Sequence, residues 1–380
     1  MQYRDFGKTG IKMSALGFGA MRLPMTGEGD GREVDDALAI PMIHEAFDLG
    51  VNYIDTAPYY CEKKSEGAVG RALRSWKGHR VYVSTKNPVE NDVPEDFAKR
   101  LESSLKNLGR DSIDFYHLWG INLKNFERWH GLSDGPLQAF RKAREEGLIG
   151  HFSFSYHDKA ENFRQIVDSG LFDSVLVQYN LLDRSNEENI AYASEKGLGV
   201  VVMGPVAGGR LGAPSNVIAG LLKEKPASTA ELAMRFVLSN PCVNIALSGM
   251  SEISMVRENA AVAANGGNLS AEELGGINKM MEENKKLAQL YCTTCNYCKP
   301  CPQEINIPHL FGLMNDHRVY ELTQHSKKAY ADCLAGRTFQ KSKSPEACTE
   351  CGECERKCPQ KLPIIKQLKE THKALAETGS

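Results

Sequence analysis

No run of about 18 apolar residues occurs in the 380-residue sequence, so no membrane-spanning helix is expected. The opening residues, MQYRDFGKTG, lack the apolar core of a secretory signal, which points to a cytoplasmic, reducing setting. No Gly-x-Gly-x-x-Gly follows an early strand pattern, so the usual fingerprint of a doubly wound dinucleotide-binding sheet is missing. A formal net charge of -2 gives no field that would attract nucleic acid. Cysteine is nearly absent from the long N-terminal part, where only Cys61 and Cys242 precede residue 290.

The remaining nine of the eleven cysteines fall between Cys292 and Cys358. In a reducing compartment such a cluster points to metal ligands rather than disulfides. The shift in composition divides the chain into 1–268, a connecting helix at 269–290, and a cysteine-rich domain at 291–380.

The first part alternates apolar runs with helical patterns. Strand candidates are 14–21, 51–56, 81–87, 112–119, 151–156, 174–180, 200–204 and 244–249. Helical patterns between them close on Gly50, Gly109, Gly147 and Gly197. Ser228 and Glu231 have capping-box spacing. Eight alternating units predict a (β/α)8 TIM barrel. Pro41 is expected to kink or interrupt the first helix. Asn122–Asp134, with Trp129 and His130, reads as a loop at the barrel mouth.

In the cysteine-rich part, Cys292, Cys295, Cys298 and Cys301 precede Pro302, and Cys348, Cys351, Cys354 and Cys358 precede Pro359. The second run has the bacterial ferredoxin spacing and the first is one residue shorter. Paired C-x2-C motifs with long spacers, the usual zinc pattern, are not what is written here. The spacing predicts a ferredoxin-like domain with two 4Fe–4S clusters. Cys292, Cys295 and Cys298 share one with Cys358, and Cys348, Cys351 and Cys354 share the other with Cys301. Cys333 stands outside both runs.

The segment Val51–Tyr60 reads as a buried strand ending in Asp55, then a loop with Tyr59 and Tyr60. A carboxylate at the end of a barrel strand stands where such folds place chemistry. Together with Val83-Ser84-Thr85-Lys86, the pattern Tyr53-Ile54-Asp55-Thr56-Ala57-x-x-Tyr60 resembles the aldo/keto reductases. Gly17–Pro24, the Ala207–Leu211 loop and the cysteine tail resemble the ferredoxin-linked branch of that family.

This resemblance implies hydride transfer between NADH or NADPH and a small carbonyl or hydroxyl substrate. Tyr60 would be the acid, Lys86 its partner and Asp55 the orienter of the lysine. The family's histidine falls on Trp119 or, two residues earlier on the same strand face, His117. The resemblance assigns the cofactor to Gly19, Met21, Ser155, Gln178 and Met203. It gives the pyrophosphate to Gly208, Gly209 and Arg210, and the adenine end to Gly249, Ser251 and Asn259. Tyr156 takes the place of the commoner asparagine.

A nicotinamide moves two electrons and a cluster moves one, so direct exchange needs a converter such as a flavin. Three readings follow: a reductase with structural or regulatory clusters, a flavin-bearing barrel fed by a ferredoxin-like carrier, or an inactive electron-carrier module. Retention of Asp55, Tyr60 and Lys86 argues against the third.

Overall fold

The structure is a computed structural model. It describes the chain apart from residues 29–30, 213, 221–227, 268, 293–295 and 377–380, and apart from the side chains of 219, 285 and 287–291. By packing, the chain divides into two units, Met1–Ala207 with Ala233–Leu269, and Gly208–Leu232 with Ser270–Ser380.

In the first unit, β1 (Tyr3–Asp5) and β2 (Lys12–Ser14) form an antiparallel pair, and Phe6 just beyond β1 is fully buried. Next come β3 (Leu16–Gly19), the small hairpin β4 (Met25–Thr26) and β5 (Glu33–Val34), then β6 (Tyr53–Asp55), β7 (Tyr82–Asn87) and β8 (Ile113–Ile121). The series ends with β9 (Ile149–Tyr156), β10 (Ser174–Gln178), β11 (Gly199–Met203) and β12 (Ile245–Gly249). Strands β3, β6, β7, β8, β9, β10, β11 and β12 pair in parallel and close into a barrel. These are the eight strands expected from the sequence. Parallel barrel strands are covered on both faces, so runs such as Val200–Val202 are apolar throughout.

Around the barrel lie α1 (Asp36–Asp48), α2 (Ser65–Ser75), α3 (Pro94–Leu108), α4 (Leu123–Gly131) and α5 (Pro136–Glu145). They are followed in the chain by α6 (Phe163–Val167) and α7 (Glu187–Glu195), then α8 (Asn216–Ala219) of the second unit, α9 (Thr229–Ser239), which the division crosses, and α10 (Ile253–Ala264) of the first. Asp35 caps α1 through Ala37 N, and the helix continues across Pro41. The proline lies early in the helix and removes one backbone donor, a loss that the buried face of Met42, Ile43, Ala46 and Phe47 outweighs. Ser228 Oγ accepts from Glu231 N at 2.9 Å, the first half of the expected capping box.

In the second unit, α11 (Ala271–Tyr291) precedes α12 (Ile307–Tyr320), α13 (Thr323–Leu334), α14 (Glu353–Lys357) and α15 (Ile364–Ala376). Its core joins Leu310, Phe311, Met314, Tyr330 and Leu368, with Cys298, Cys301, Cys354 and Cys358 packed against it. Among the described residues, no helix is long and apolar enough to cross a membrane.

Candidate active site and cluster sites

Strands β6 and β7 run side by side with Asp55 opposite Ser84. Side chains two residues apart share a face, so Asp55, Ser84 and Lys86 all point into the barrel. Lys86 Nζ lies 2.6 Å from Asp55 Oδ2, and both side chains are only 2% exposed. The ammonium also donates to Thr56 O at 2.8 Å, while Ser84 Oγ donates to Asp55 Oδ1 at 2.7 Å. Burial opposes the charge on Lys86, but Asp55 and the Tyr60 oxygen outweigh it and hold the lysine above its ordinary value.

Tyr60 stands over this pair, with Lys86 Nζ 4.7 Å from its ring centroid. Burial raises the Tyr60 pKa; Lys86 pulls it down and Asp55 pushes it up, and the net shift is upward. The lysine therefore acts in the expected sense, but burial outweighs it. Cys61, Glu62 and Lys63, directly after Tyr60, have φ of 49°, 53° and 71°. Three successive left-handed residues without a glycine cost roughly 1–2 kcal/mol each. Such strain persists where the surroundings fix a functional geometry.

His117 pairs in register with Lys86 and is fully buried. Its ring nitrogens make no well-formed hydrogen bond among the described residues, and the Phe154 carbonyl is the acceptor they approach. Burial, with the charge of Lys86, lowers its pKa to about 3, against a weaker pull from the Phe154 carbonyl. Trp119, two residues on, meets the Tyr60 ring edge-on at 5.9 Å and the Tyr59 ring at 5.5 Å. The aromatic ring thus occupies the place beside Tyr60, and the imidazole lies deeper.

The β8–β9 register shifts between Leu118 and Ile121. Gly120, at φ +64°, forms the irregular turn there, and its amide donates to Ser155 Oγ at 2.8 Å. The shift places Gly120 beside His157, a residue the sequence reading left without a role. His157 reaches solvent, yet the protein around it displaces water and, with Lys86, lowers its pKa.

Gln178 and Met203 are register partners at the ends of β10 and β11. Gly249 is paired with Gly19, Met21 is exposed beyond it, and Asn259 Nδ2 donates to Ser248 Oγ at 3.1 Å. Ser251 is exposed, with its hydroxyl near Met255 Sδ. Tyr156 is buried, and its hydroxyl donates to the Lys159 carbonyl. Gly208, Gly209 and Arg210 belong to the second unit, where Arg210 is ion-paired with Asp316 of α12. The expected mouth loop after β8 is largely helix α4, capped by Asn122 through Asn125 N at 2.9 Å. Trp129 is buried with its indole N–H on Asp92, so its ring faces no open mouth.

In the second unit, Cys292, Cys298 and Cys358 line one cavity with Pro308, Phe311 and Ile364. Cys301, Cys348, Cys351 and Cys354 line another with Pro300, Ile365 and Leu368, and Cys298 borders this cavity as well as the first. Cys295 lies outside the described residues. Thiol groups converging on apolar walls fit iron–sulfur groups. Cys333 is buried and donates to the Gln340 carbonyl.

Residues 15–282 match the aldo/keto reductase family and residues 291–362 a 4Fe–4S dicluster domain. The uncharacterized oxidoreductase YqkF of Bacillus subtilis is 28% identical over 310 residues, covering 73% of this chain and 95% of its own. L-galactose dehydrogenase of Arabidopsis thaliana is 28% identical over 315 residues, covering 76% and 96%. Among solved structures, the holo form of aldo-keto reductase AKR11C1 from Bacillus halodurans superposes with a TM-score of 0.61 at 27% identity, covering 73% of this chain and 96% of that one. The chain belongs to the aldo/keto reductase family and carries a C-terminal 4Fe–4S dicluster domain.

Proposed function

We propose that the barrel reduces a small carbonyl compound with NADH or NADPH, or runs the reverse oxidation. The observation that carries this reading is the buried Lys86–Asp55 pair at 2.6 Å beneath Tyr60. A charged lysine deep in a barrel is costly, and here its one open direction is toward a phenol.

The nicotinamide, when bound, supplies the hydride. Tyr60 then gives its proton to the developing alkoxide: the Tyr60 O–H bond breaks and the substrate O–H bond forms. Lys86 stabilises the tyrosinate left behind, and Asp55 keeps Lys86 charged and aimed. Because burial holds the Tyr60 pKa high, the proton is present to be given at neutral pH.

Ser155, Gln178 and Met203 are assigned to the nicotinamide end. Gly19, Met21, Gly249, Ser251 and Asn259 are assigned to the remainder of the cofactor. His117 is a positioning residue for Lys86, because its full burial keeps it from substrate. Sugar-type hydroxyls and aldehydes are the first substrates to try, given the name of the plant relative. In the cysteine-rich part, the proposed ligand sets are Cys292, Cys295, Cys298 and Cys358, and Cys301, Cys348, Cys351 and Cys354.

The test is anaerobic purification followed by NADH and NADPH oxidation against a panel of small aldehydes, ketones and sugars. Turnover that disappears in Tyr60→Phe supports the reading. Full activity in that variant sinks it.

A further inference from the structure

The loop between α13 and the turn Pro345–Ala347 carries the most exposed large apolar residue in the chain's described part. Phe339 is 105% exposed, so its ring lies wholly outside the fold. The loop that presents it is nevertheless well tied down. Asn306 N donates to Ser342 Oγ at 2.9 Å, Asn306 Nδ2 to Gln340 Oε1 at 3.2 Å, and Lys343 N to Glu304 O at 3.2 Å. A ring held in water by an anchored loop is a costly arrangement unless something covers it.

The anchor points lead straight to one cysteine set. Glu304 N donates to Cys301 O at 2.9 Å, and Cys348 N to Pro345 O at 3.1 Å. Thus one end of the loop contacts the turn after Cys301 and the other runs into Cys348. In that set Cys351 is itself exposed, so this is an outward-facing cavity.

Charge gives the surface its sign. Lys299, Lys341 and Lys343 are exposed and join no ion pair among the described residues. Elsewhere in the unit, Lys328 and Arg337 are paired with Asp332, Lys357 with Glu353 and Lys369 with Glu350, while Lys361, Lys366 and Lys373 are also exposed without an ion pair among the described residues. Glu304, Glu346 and Glu350 are the exposed acids nearby, and Glu350 is already paired with Lys369. A surface with free lysines around one aromatic anchor suits an acidic protein partner: the lysines steer the encounter and the ring supplies the buried contact.

We propose that the Phe339 loop, with Lys299, Lys341 and Lys343, docks an acidic one-electron carrier protein that exchanges electrons at the Cys301, Cys348, Cys351 and Cys354 site. The inference rests on the ligand sets proposed above and on those clusters being redox-active. The exchange is one electron only. The reduced carrier loses it and the site gains it, or the reverse, with no bond made or broken.

The test uses the full-length, anaerobically prepared holoprotein and an acidic plant-type ferredoxin as probe. Binding is followed by interferometry and electron transfer by stopped-flow absorbance. Both the association rate and the transfer rate should fall at least about tenfold between low and high salt. A Lys341→Glu, Lys343→Glu double variant should lose about tenfold at low salt, and Phe339→Ser should weaken binding about fivefold. A Lys279→Glu control, on α11, should match the parent, as should iron content and reduction by dithionite in every variant. Salt-independent rates that the loop variants leave unchanged overturn the docking surface. Clusters that dithionite cannot reduce overturn the redox reading beneath it. A dimer of the parent that Phe339→Ser dissolves, with transfer rates unchanged, assigns the face to self-association and also overturns the proposal.

Discussion

Lys86 Nζ sits 2.6 Å from Asp55 Oδ2 with both side chains 2% exposed, which makes each the other's only charged partner at that distance among the described residues. Removing either leaves an uncompensated buried charge. Asp55→Asn and Lys86→Met should each destabilise the barrel by about 3–5 kcal/mol in denaturant titrations. Both should also lower kcat at least about a hundredfold, because the tyrosinate is no longer stabilised. A stable, fully active Lys86→Met protein is the contrary result.

Tyr60→Phe removes the proton donor but little volume. It should retain its fold and nicotinamide affinity and lose roughly 10²–10⁴ in kcat. The pH profile follows from the upward shift in the Tyr60 pKa. Reduction needs the protonated phenol, so this limb is flat through neutrality and declines only as pH rises through a value above the ordinary 10. A decline set by Tyr60 that begins near pH 8 contradicts the geometry.

The strands and the Asp55–Tyr60–Lys86 constellation were legible because buried parallel strands are written as apolar runs, and a charge at the end of such a run stands out. The left-handed run Cys61–Lys63 was not legible, since no residue there prefers that conformation. Arg210 looked free for a phosphate, but its carboxylate partner Asp316 lies 106 residues away in sequence. Asn122 is a readable helix cap, yet the polar-aromatic stretch after it has the composition of a loop and folds as α4. His157 gains its place from the register shift at Gly120, and no periodicity announces that.

His117 makes the fold acid-sensitive. Its folded pKa of about 3 is below the unfolded 6.5, so the unfolded chain binds the extra proton first as pH falls. Stability is therefore intact above 6.5 and declines below it, by about 2 kcal/mol at pH 5 from this group alone. His117→Leu should flatten that acid limb in thermal melts between pH 7 and 5. An unchanged limb shows that the imidazole titrates normally.

Trp119 meets Tyr60, while His157, beside Gly120, is an exposed imidazole. Its lowered pKa keeps it neutral, and so a hydrogen-bond donor without charge, at neutral pH and somewhat below the ordinary 6.5. His157→Phe should cut kcat/KM roughly tenfold, with the loss largely in KM, whereas Trp119→Ala should alter substrate preference across an aldehyde series. Equal kinetics for parent and His157→Phe remove the histidine from the site.

Cys301 belongs to the first cysteine run in sequence but shares a cavity with Cys348, Cys351 and Cys354, as Cys358 does with Cys292 and Cys298. Paired substitutions separate this crossed arrangement from one cluster per run. If ligation is crossed, Cys301→Ser with Cys348→Ser removes two ligands of one cluster and leaves about four irons per chain. Cys292→Ser with Cys301→Ser then strikes both clusters and leaves almost none. Run-by-run ligation reverses the two outcomes. Iron and sulfide analysis of the two double variants decides the matter, and far-ultraviolet circular dichroism on the same samples shows whether the helices survive the loss.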